Sequence, residues 1–341
     1  MLLSKLLLFL AVGMVTSTDV PKLKLNNGKE IPAVALGTYL GFDKNGVIKP
    51  EKNQVRDAIM KAIDLGYRLI DTATVYGTEN EIGLAVQMKI DSGELKREDM
   101  FIVTKLWNTH HERAKVAQQL RESLKNLGLN YVDLYLMHWP MGLNEDYSFS
   151  DLDYMETWRG MEDMVKLGLA KSIGLSNFNQ EQIKRVITEG TIKPVVLQIE
   201  NHPELNQNDF VKFAQDNELV VMGYSPFGTL VNRFGLEKHE LTYDDPVLSG
   251  IAKKYQKTVP QVVLRWLVER NVVPVVKSTN PKRQAENINI FDFTLTKEEV
   301  EKINEFNSNF RLVLPSFWQS HPYYPFEKVD NPIADPFKPA K

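Results

Sequence analysis

The chain of 341 residues contains no cysteine. This absence excludes disulfide bridges, thiolate metal sites and cysteine nucleophiles. An excess of charge of one sign is also lacking, since 41 Lys and Arg residues face 44 Asp and Glu residues and leave a net charge of −3. Such a balance does not favour a nucleic acid or an anionic membrane surface as a partner. The chain therefore depends on its own core, and 43% hydrophobic residues allow a large one.

Two nucleotide-binding motifs are missing as well. No G-x-G-x-x-G follows a predicted strand and no P-loop sequence occurs, so neither a Rossmann site nor a P-loop site is predicted. No Asn-x-Ser/Thr sequon occurs, and N-glycosylation is not expected. Length alone would suit two domains, but single α/β barrels also reach this size.

The chain has one short apolar run, and it lies at the N-terminus. Residues 1–5 carry one positive charge, residues 6–15 are apolar, and Ser17 and Thr18 are small residues at which cleavage could follow. This three-part pattern is typical of a secretory signal peptide, and the run is shorter than a transmembrane helix requires. We predict a signal peptide over residues 1–17, a mature domain over residues 18–341, and a secreted or lumenal protein without membrane attachment. An uncleaved anchor and a buried apolar arm are the alternatives.

Strands and helices are predicted to alternate along the rest of the chain. Near-continuous apolar runs predict strands at residues 33–36, 68–71, 101–105, 132–137, 172–175, 195–199, 219–224 and 273–276. Periodic apolar positions predict helices at residues 55–65, 78–91, 113–127, 154–166, 180–189, 208–217, 246–255 and 260–269. This alternation indicates a parallel sheet. Eight units without a break favour one closed (β/α)8 TIM barrel over a doubly wound sheet.

Three kinds of segment fall outside the alternation. Residues 22–32 contain Asn27-Gly28 between short strand-like runs and predict a β-hairpin. Residues 141–153 and 226–245 are predicted as long loops on the active face. The tail, residues 308–341, is rich in proline and aromatic residues. We predict that its first half forms a flap over the pocket and that its last dozen residues are loosely attached.

Polar side chains stand at the carboxyl end of almost every predicted strand. In chain order they are Asp71, Lys105, His138, Ser176, Asn177, Gln198, Glu200, Tyr224, Ser225, Lys277 and Ser278. Because parallel strands of a barrel end at one rim, these side chains are expected to meet there. A barrel without chemistry would have no reason to repeat this arrangement.

Residues 69–81 are the most informative stretch. They are predicted to be the end of a strand, a loop and the start of a helix, which Thr78-x-x-Glu81 marks as a capping box. The loop carries Asp71 and Tyr76. A phenol with a pKa of about 10 becomes a better acid beside a cation, and Lys105 could supply that cation from the next strand.

With His138 opposite, this set suits protonation of a carbonyl oxygen. Taken singly, each residue has a structural explanation, because a buried Tyr usually packs, a strand-end Asp often caps a helix and a lone His is often a satisfied core group. Their order on successive strands favours function.

The same stretch resembles the signature of the aldo-keto reductases. Residues 69–83 carry the resemblance together with Lys105-Leu106-Trp107 and residues 136–140, and it extends from about residue 23 to about residue 326. It implies a monomer in which Tyr76 is the general acid, Lys105 lowers its pKa and Asp71 holds Lys105. It further implies that His138 orients a substrate carbonyl. A His rather than a Glu at this position favours carbonyl reduction over double-bond reduction.

The resemblance also implies NADPH as the cofactor. Its expected contacts are Ser176, Asn177, Gln198, Tyr224, Ser225, Lys277, Ser278, Arg283, Glu286 and Asn287. Lys277 and Arg283 would meet the 2′-phosphate, which favours NADPH over NADH, and the alternative is a solvated surface cluster. Asn280 departs from the usual family sequence at one expected phosphate contact.

An apolar substrate pocket is expected beside this site. Its predicted walls are Tyr39, Trp107, Trp139, Phe317 and Trp318, and ordinary core packing is the alternative for each. The His110-His111 pair is predicted to lie in a solvated loop, and no metal site is predicted.

The predicted function is NADPH-dependent reduction of an aldehyde or ketone to an alcohol. The resemblance leans toward secreted insect members, some of which reduce 3-dehydroecdysteroids, and this suggests a 3-keto ecdysteroid as substrate. A broad-specificity detoxifying aldehyde reductase and a non-catalytic NADPH-binding protein remain as alternatives.

Overall fold

The computed structural model describes residues 20–43, 46–231 and 241–337, so the predicted signal peptide lies outside the described residues. The strands in these ranges are β1 (Lys22–Lys24), β2 (Glu30–Pro32), β3 (Ala35–Gly37), β4 (Phe42–Asp43), β5 (Gly46–Val47), β6 (Leu69–Asp71), β7 (Phe101–Leu106), β8 (Leu134–Met137), β9 (Ile173–Ser176), β10 (Val196–Glu200), β11 (Val220–Tyr224) and β12 (Val272–Lys277). The helices are α1 (Gln54–Asp64), α2 (Glu79–Asp91), α3 (Arg113–Leu127), α4 (Tyr154–Lys166), α5 (Gln180–Glu189), α6 (Asn208–Asp216), α7 (Pro246–Tyr255), α8 (Val259–Glu269), α9 (Pro281–Ile288) and α10 (Lys297–Asn304).

Eight of the strands form a closed parallel barrel in the order β3-β6-β7-β8-β9-β10-β11-β12, with β12 returning to β3. This arrangement confirms the predicted (β/α)8 barrel. The predicted strand bounds differ from the observed ones by at most two residues. The predicted helices are all present, whereas α9, α10 and the short β4–β5 pair were not predicted.

The predicted hairpin is the antiparallel pair β1–β2. Gly28 takes φ +82° in its turn, a conformation that glycine adopts without strain. Leu25 and Ile31 of the hairpin are 1% and 0% exposed and pack into the apolar cluster inside the barrel. The hairpin therefore closes the amino end of the barrel and leaves the carboxyl rim for chemistry.

The helix after β6 begins where predicted, but the predicted capping box does not form. Thr78 is the N-cap residue of α2 without a side-chain cap bond, and its hydroxyl instead contacts Thr72 Oγ1 at 3.0 Å. The Glu81 carboxylate accepts from the Asn53 amide at 2.7 Å and the Val55 amide at 2.7 Å. Glu81 thus caps the neighbouring helix α1 instead of its own helix α2.

The tail crosses the carboxyl rim and includes one 3-10 turn, Ser316–Trp318. Trp318 is 1% exposed and lies 6.0 Å from the Trp107 ring, as expected of a flap over the pocket. The prediction that the last dozen residues are loosely attached is wrong for Asp335 and Phe337, whereas residues 330–334 are exposed. Phe337 packs on Trp107, and the Asp335 carboxylate accepts from the Trp318 indole at 3.2 Å.

Within the part of the chain that the structure describes, no helix is long and apolar enough to cross a membrane.

Candidate active site

Four titratable side chains from neighbouring elements meet at the carboxyl rim. β6 ends at Asp71, β7 carries Lys105, His138 follows β8, and Tyr76 ends a 3-10 turn after β6. The Lys105 ammonium donates to Asp71 Oδ1 at 2.7 Å and to the Thr72 carbonyl at 2.9 Å. Its Nζ lies 5.0 Å from the centre of the Tyr76 ring. The Tyr76 hydroxyl lies 3.5 Å from His138 Nε2.

The Asp71–Lys105 pair is buried beneath Tyr76, with exposures of 3% and 0%. Burial lowers the pKa of Lys105, and the adjacent carboxylate opposes that shift. A buried charge is tolerated only when it is paired and hydrogen-bonded, as Lys105 is here. The buried ion pair therefore lies in a fixed position beneath the Tyr76 ring.

In the structure described, Lys105 does not bring the pKa of Tyr76 below its usual value, contrary to the expectation. Burial raises the pKa of the Tyr76 hydroxyl well above its usual value, and the Asp71 carboxylate raises it further. The physical reason is the 2.7 Å contact between Lys105 and Asp71, which balances the cation with an anion. Tyr76 consequently holds its proton at neutral pH and is able to donate it.

His138 is neutral in this environment. Burial lowers its pKa well below the usual value, and the charge of Lys105 adds to the shift. A neutral imidazole has one N–H, and Nδ1 has no hydrogen-bond partner among the described residues. We assign the proton to Nε2, the nitrogen that faces the Tyr76 hydroxyl. Two donors, Tyr76 and His138, then converge on a position that suits one carbonyl oxygen.

Gln198 reaches the catalytic cluster from β10, on the far side of the barrel from β6. Its Nε2 donates to Asp71 Oδ2 at 2.8 Å. One carboxylate oxygen of Asp71 thus accepts a hydrogen bond from Lys105, and the other accepts one from Gln198. The resemblance placed Gln198 among the cofactor contacts, and nothing in the sequence indicated its bond to Asp71, because 127 positions separate the two residues.

Asn177 links the catalytic side of the rim to the β11 side. Its Nδ2 donates to the His138 carbonyl at 3.0 Å, and its Oδ1 accepts from the Tyr224 hydroxyl at 2.8 Å. Asn177 takes φ +60°, which turns the chain sharply after Ser176. Asn and Asp tolerate this left-handed conformation better than most other residues. Ser176 and Asn177 are 1% and 2% exposed, so a polar set is held inside the rim.

A cationic region follows β12. Lys277 ends this strand, and Arg283 is exposed in the first turn of α9. Asn280, the residue that departs from the usual family sequence, is the N-cap of α9 and accepts from the Arg283 amide at 3.1 Å. Glu286 and Asn287 lie on the same helix. Cations beside a helix N-terminus suit a phosphate group.

The rim is therefore divided between two chemistries, and the division fits a nicotinamide dinucleotide phosphate. β6 to β8 supply the titratable groups. β9 to β12 and α9 supply the other groups. Their buried amides match a carboxamide, their Tyr ring matches an aromatic base, and their cations match a phosphate. Ser225, with φ +51°, and Ser278, 5% exposed, complete the predicted cofactor set on this side.

Aromatic rings surround the position that Tyr76 and His138 define. The Tyr39 ring lies 4.9 Å from the Tyr76 ring, and the Trp107 ring lies 5.2 Å from His138. The predicted walls Trp139, Phe317 and Trp318 belong to the same apolar cluster as Trp107. Sequence reasoning missed further rings that join it, among them Phe42, Tyr147 and Phe337. No periodicity in the tail or loops marked them.

His111 differs from its prediction. It is 2% exposed rather than solvated, and neither ring nitrogen has a hydrogen-bond partner among the described residues. Burial lowers its pKa to about 3, with smaller contributions from His321 and His110. The His111 carbonyl accepts from the Thr157 hydroxyl of α4 at 2.8 Å, a contact that the sequence did not show.

Comparison with known proteins gives consistent matches over most of the chain. A model of the Aldo/keto reductase family matches residues 33–308. The Aldo-keto reductase AKR2E4 of Bombyx mori is 46% identical over 309 residues, covering 91% of this chain and 99% of that protein. Aldo-keto reductase family 1 member A1 of Homo sapiens is 37% identical, covering 89% and 97%.

Solved structures agree with these sequence matches. The crystal structure of Bombyx mori AKR2E4 in complex with NADP has a TM-score of 0.87 at 45% identity, covering 91% of this chain and 100% of that chain. The crystal structure of AKR2E5 complexed with NADPH has a TM-score of 0.90 at 45% identity, covering 95% and 99%.

Proposed function

The chain belongs to the aldo/keto reductase family, and we propose on that premise that Tyr76 protonates the carbonyl oxygen of a bound aldehyde or ketone. As a member it is an NADP(H)-dependent oxidoreductase that acts on carbonyl groups. The observation that carries the proposal for Tyr76 is the 3.5 Å separation between its hydroxyl and His138 Nε2, above the buried Asp71–Lys105 pair.

The residues of the rim divide the reaction between them. When bound, NADPH supplies the hydride. His138 donates a hydrogen bond from Nε2 to the carbonyl oxygen, which holds the carbonyl in place and stabilises its growing negative charge. Tyr76 gives its proton to the same oxygen and becomes a phenolate. Lys105 faces that phenolate from below, and the opposite charge stabilises it.

Two positioning contacts keep the proton donor correctly placed. Asp71 and Gln198 hold Lys105 on its side of the barrel. Asn177 ties the His138 backbone to Tyr224, so that the cofactor side and the catalytic side keep one geometry. Lys277 and Arg283 are proposed to bind the 2′-phosphate, and the remaining predicted contacts to bind the nicotinamide and adenosine portions.

We propose a 3-dehydroecdysteroid as the physiological substrate. Support comes from the aromatic cluster beside His138, in which Trp107 and Trp139 are flat apolar rings that Phe337 and Phe326 of the tail cover. A polycyclic ketone would bury its rings against such surfaces. We further propose that the protein is secreted, on the basis of the signal-peptide pattern over residues 1–17, and that it is a monomer, as the family resemblance implies.

The first experiment is NADPH oxidation by the purified mature chain, followed by absorbance, with a simple aldehyde and a 3-dehydroecdysteroid side by side. The Tyr76→Phe variant serves as the control for chemistry at this site. A strong preference for the steroid supports hormone metabolism as the function. Broad aldehyde turnover instead makes the protein a detoxifying reductase, and NADPH binding without turnover of either would overturn catalysis.

A further inference from the structure

A buried carboxylate lies behind the catalytic cluster, on the helix side of the barrel wall. Glu79 begins α2 and is 3% exposed. Its Oε1 accepts from the Thr104 hydroxyl of β7 at 2.7 Å. Successive side chains of a strand point to opposite faces, so Thr104 faces the helices while Lys105 faces the inside of the barrel. Glu79 therefore contacts the strand that carries Lys105 from the opposite face.

A second connection leads from Glu79 to the turn that carries Tyr76. Burial raises the pKa of Glu79, and hydrogen bonds from three side chains, Ser123 of α3 among them, oppose that shift. Ser123 Oγ lies 2.9 Å from the hydroxyl of Thr74, the first residue of the 3-10 turn that ends at Tyr76. The Thr74 hydroxyl also lies 3.3 Å from the Lys105 carbonyl. The turn and the strand thus meet at the same polar cluster.

Glu79 is buried without a cation to balance it, as far as the described residues extend. A buried carboxylate is costly unless hydrogen bonds and dipoles replace its hydration. The amino end of α2 supplies a favourable dipole, and Asn126 Nδ2 donates to Glu79 Oε2 at 3.4 Å. An uncharged side chain of similar volume would fill this space at lower cost. Packing alone therefore does not account for the charge.

We propose that Glu79 is a positioning residue for proton transfer, because it fixes from behind the two elements that carry Tyr76 and Lys105. This inference rests on the proposed role of Tyr76 as proton donor and adds the group that holds the donor in place. The 5.0 Å between Lys105 Nζ and the Tyr76 ring centre depends on how the turn lies against β7. A carboxylate that accepts from both sides keeps the turn and the strand in one relative position.

An amide at this position would break the arrangement while it preserves the shape. In Glu79→Gln one oxygen remains as an acceptor and an NH2 group, which donates, replaces the other. The hydroxyls of Thr104 and Ser123 then compete for one oxygen, so one of the two connections is lost. We expect the turn to move relative to β7. A misplacement of about 1 Å at a reacting group can cost about a hundredfold in rate.

The kinetic test measures NADPH oxidation in a single turnover, with benzaldehyde and a 3-ketosteroid as substrates. In Glu79→Gln we expect this rate to fall about tenfold to a hundredfold, because the proton donor is misplaced. The dissociation constant for NADPH should stay within about twofold of wild type, since the proposed cofactor contacts lie on other elements. An unchanged single-turnover rate in Glu79→Gln would overturn the proposal.

Glu162→Gln is the matched control, because Glu162 of α4 is also a buried carboxylate that holds a loop. It is 2% exposed and accepts from the Thr191 hydroxyl at 2.8 Å and the Ile192 amide at 2.8 Å. That loop leads into the amino end of β10, away from the rim. The variant should lose stability but keep its single-turnover rate within about twofold of wild type. Equal losses of rate in the two Gln variants would reduce Glu79 to a structural role and overturn the proposal.

Thr74 tests the connection to the turn. Thr74→Val removes the hydroxyl and should lower the single-turnover rate, whereas Thr74→Ser keeps the hydroxyl and should retain the rate. In the double variant Glu79→Gln/Thr74→Val the combined loss should be smaller than the product of the single losses, since both changes break one connection. Losses that multiply would show that the two residues act independently and would contradict the proposal.

A further measurement reads the surroundings of Tyr76 without turnover. Tyrosines labelled with ¹³C at Cζ give separate NMR signals, and the signal that is missing in Tyr76→Phe belongs to Tyr76. We expect this signal to be displaced in Glu79→Gln and to stay in place in Glu162→Gln. An unchanged signal in Glu79→Gln would overturn the proposal. If wild type turns over neither substrate, carbonyl reduction fails, and the NMR signal still decides the role of Glu79.

Discussion

Tyr76 shows how single residues at this site act through their neighbours. Burial raises the pKa of its hydroxyl, and the Asp71 carboxylate raises it further, while Lys105 is already paired with Asp71. The proton is therefore held until charge develops on a bound carbonyl oxygen. His138, whose pKa is lowered by burial, keeps one N–H for the same oxygen. The pKa of Tyr76 is raised and the pKa of His138 is lowered, so both side chains enter the reaction in their neutral forms.

Replacing Tyr76 with Phe removes this proton donor while it keeps the ring that packs on Tyr39. We expect turnover of any carbonyl substrate to fall by about 10²- to 10⁴-fold, the usual contribution of a general acid. NADPH affinity, measured by fluorescence titration, should change by less than about twofold, since side chains from other strands are proposed to bind the cofactor. Loss of NADPH binding in this variant would count against an acid role for Tyr76.

Lys277 is proposed to choose between the two nicotinamide cofactors. Lys277→Ala should weaken NADPH binding about tenfold to a hundredfold, the range for a lost hydrogen bond to a charged group. NADH, which has no 2′-phosphate, should bind about equally well to both proteins. Titration with each cofactor gives the comparison.

Lys282→Ala is the control for Lys277, because Lys282 is an exposed lysine in the first turn of α9 with only a 3.9 Å ion pair to Glu286. Equal losses for NADPH and NADH in Lys277→Ala would remove that residue from the phosphate site.

At the scale of elements, the end of β10 and the turn after it contact both the tail and the 226–245 loop on the active face. Glu200, 1% exposed, accepts from the Leu312 amide at 2.7 Å and the Val313 amide at 2.8 Å, which fixes the start of the tail. The Glu204 carboxylate accepts from the Thr229 amide at 2.9 Å, which fixes the start of the 226–245 loop. Residues 232–240 of that loop lie outside the described residues.

Glu200→Gln should loosen the tail, because an amide replaces a charged acceptor of two backbone N–H groups. We expect the free energy of unfolding to fall by about 1–3 kcal/mol and KM for carbonyl substrates to rise more than the dissociation constant for NADPH. Denaturant unfolding and steady-state kinetics measure the two effects. Glu218→Gln is the control, since Glu218 is an exposed carboxylate paired with Lys193. A rise in the NADPH constant alone would contradict a role in positioning the tail.

At the scale of the whole molecule, the closed barrel brings distant strand ends to one rim. It also buries titratable groups whose pKa differs between the folded and unfolded states. His111 is one of these, with a pKa lowered by burial to about 3 against an unfolded value of about 6.5. Between pH 6.5 and 3, His111 therefore binds a proton in the unfolded chain but not in the folded chain. His138, which is also buried with a lowered pKa, acts in the same direction.

Stability should accordingly be fully present above pH 6.5 and decline as the pH falls toward 3. His111 contributes a slope of about 1.4 kcal/mol per pH unit in that window. In His111→Phe this contribution is absent, so the free energy of unfolding, measured in urea from pH 7.5 to 4.5, should decline less steeply than in wild type. Equal slopes in the two proteins would show that His111 is protonated in the folded state.

The sequence by itself determined the architecture and the identity of the candidate catalytic groups. Apolar runs and helical periodicities are local patterns, and they located eight strands and the helices between them. The rule that parallel strands end at one rim then grouped Asp71, Tyr76, Lys105 and His138. Their order along the chain carried this information, and no three-dimensional detail was needed.

Only the tertiary structure decided how these groups act on each other. It placed Gln198 on Asp71, used Glu81 to cap α1 rather than α2, buried His111 and brought Phe337 onto Trp107. Each of these contacts joins residues that are distant in sequence or turned inward by packing. Hydrogen bonds and burial depend on which surfaces meet when the barrel closes, and no local pattern in the chain records that.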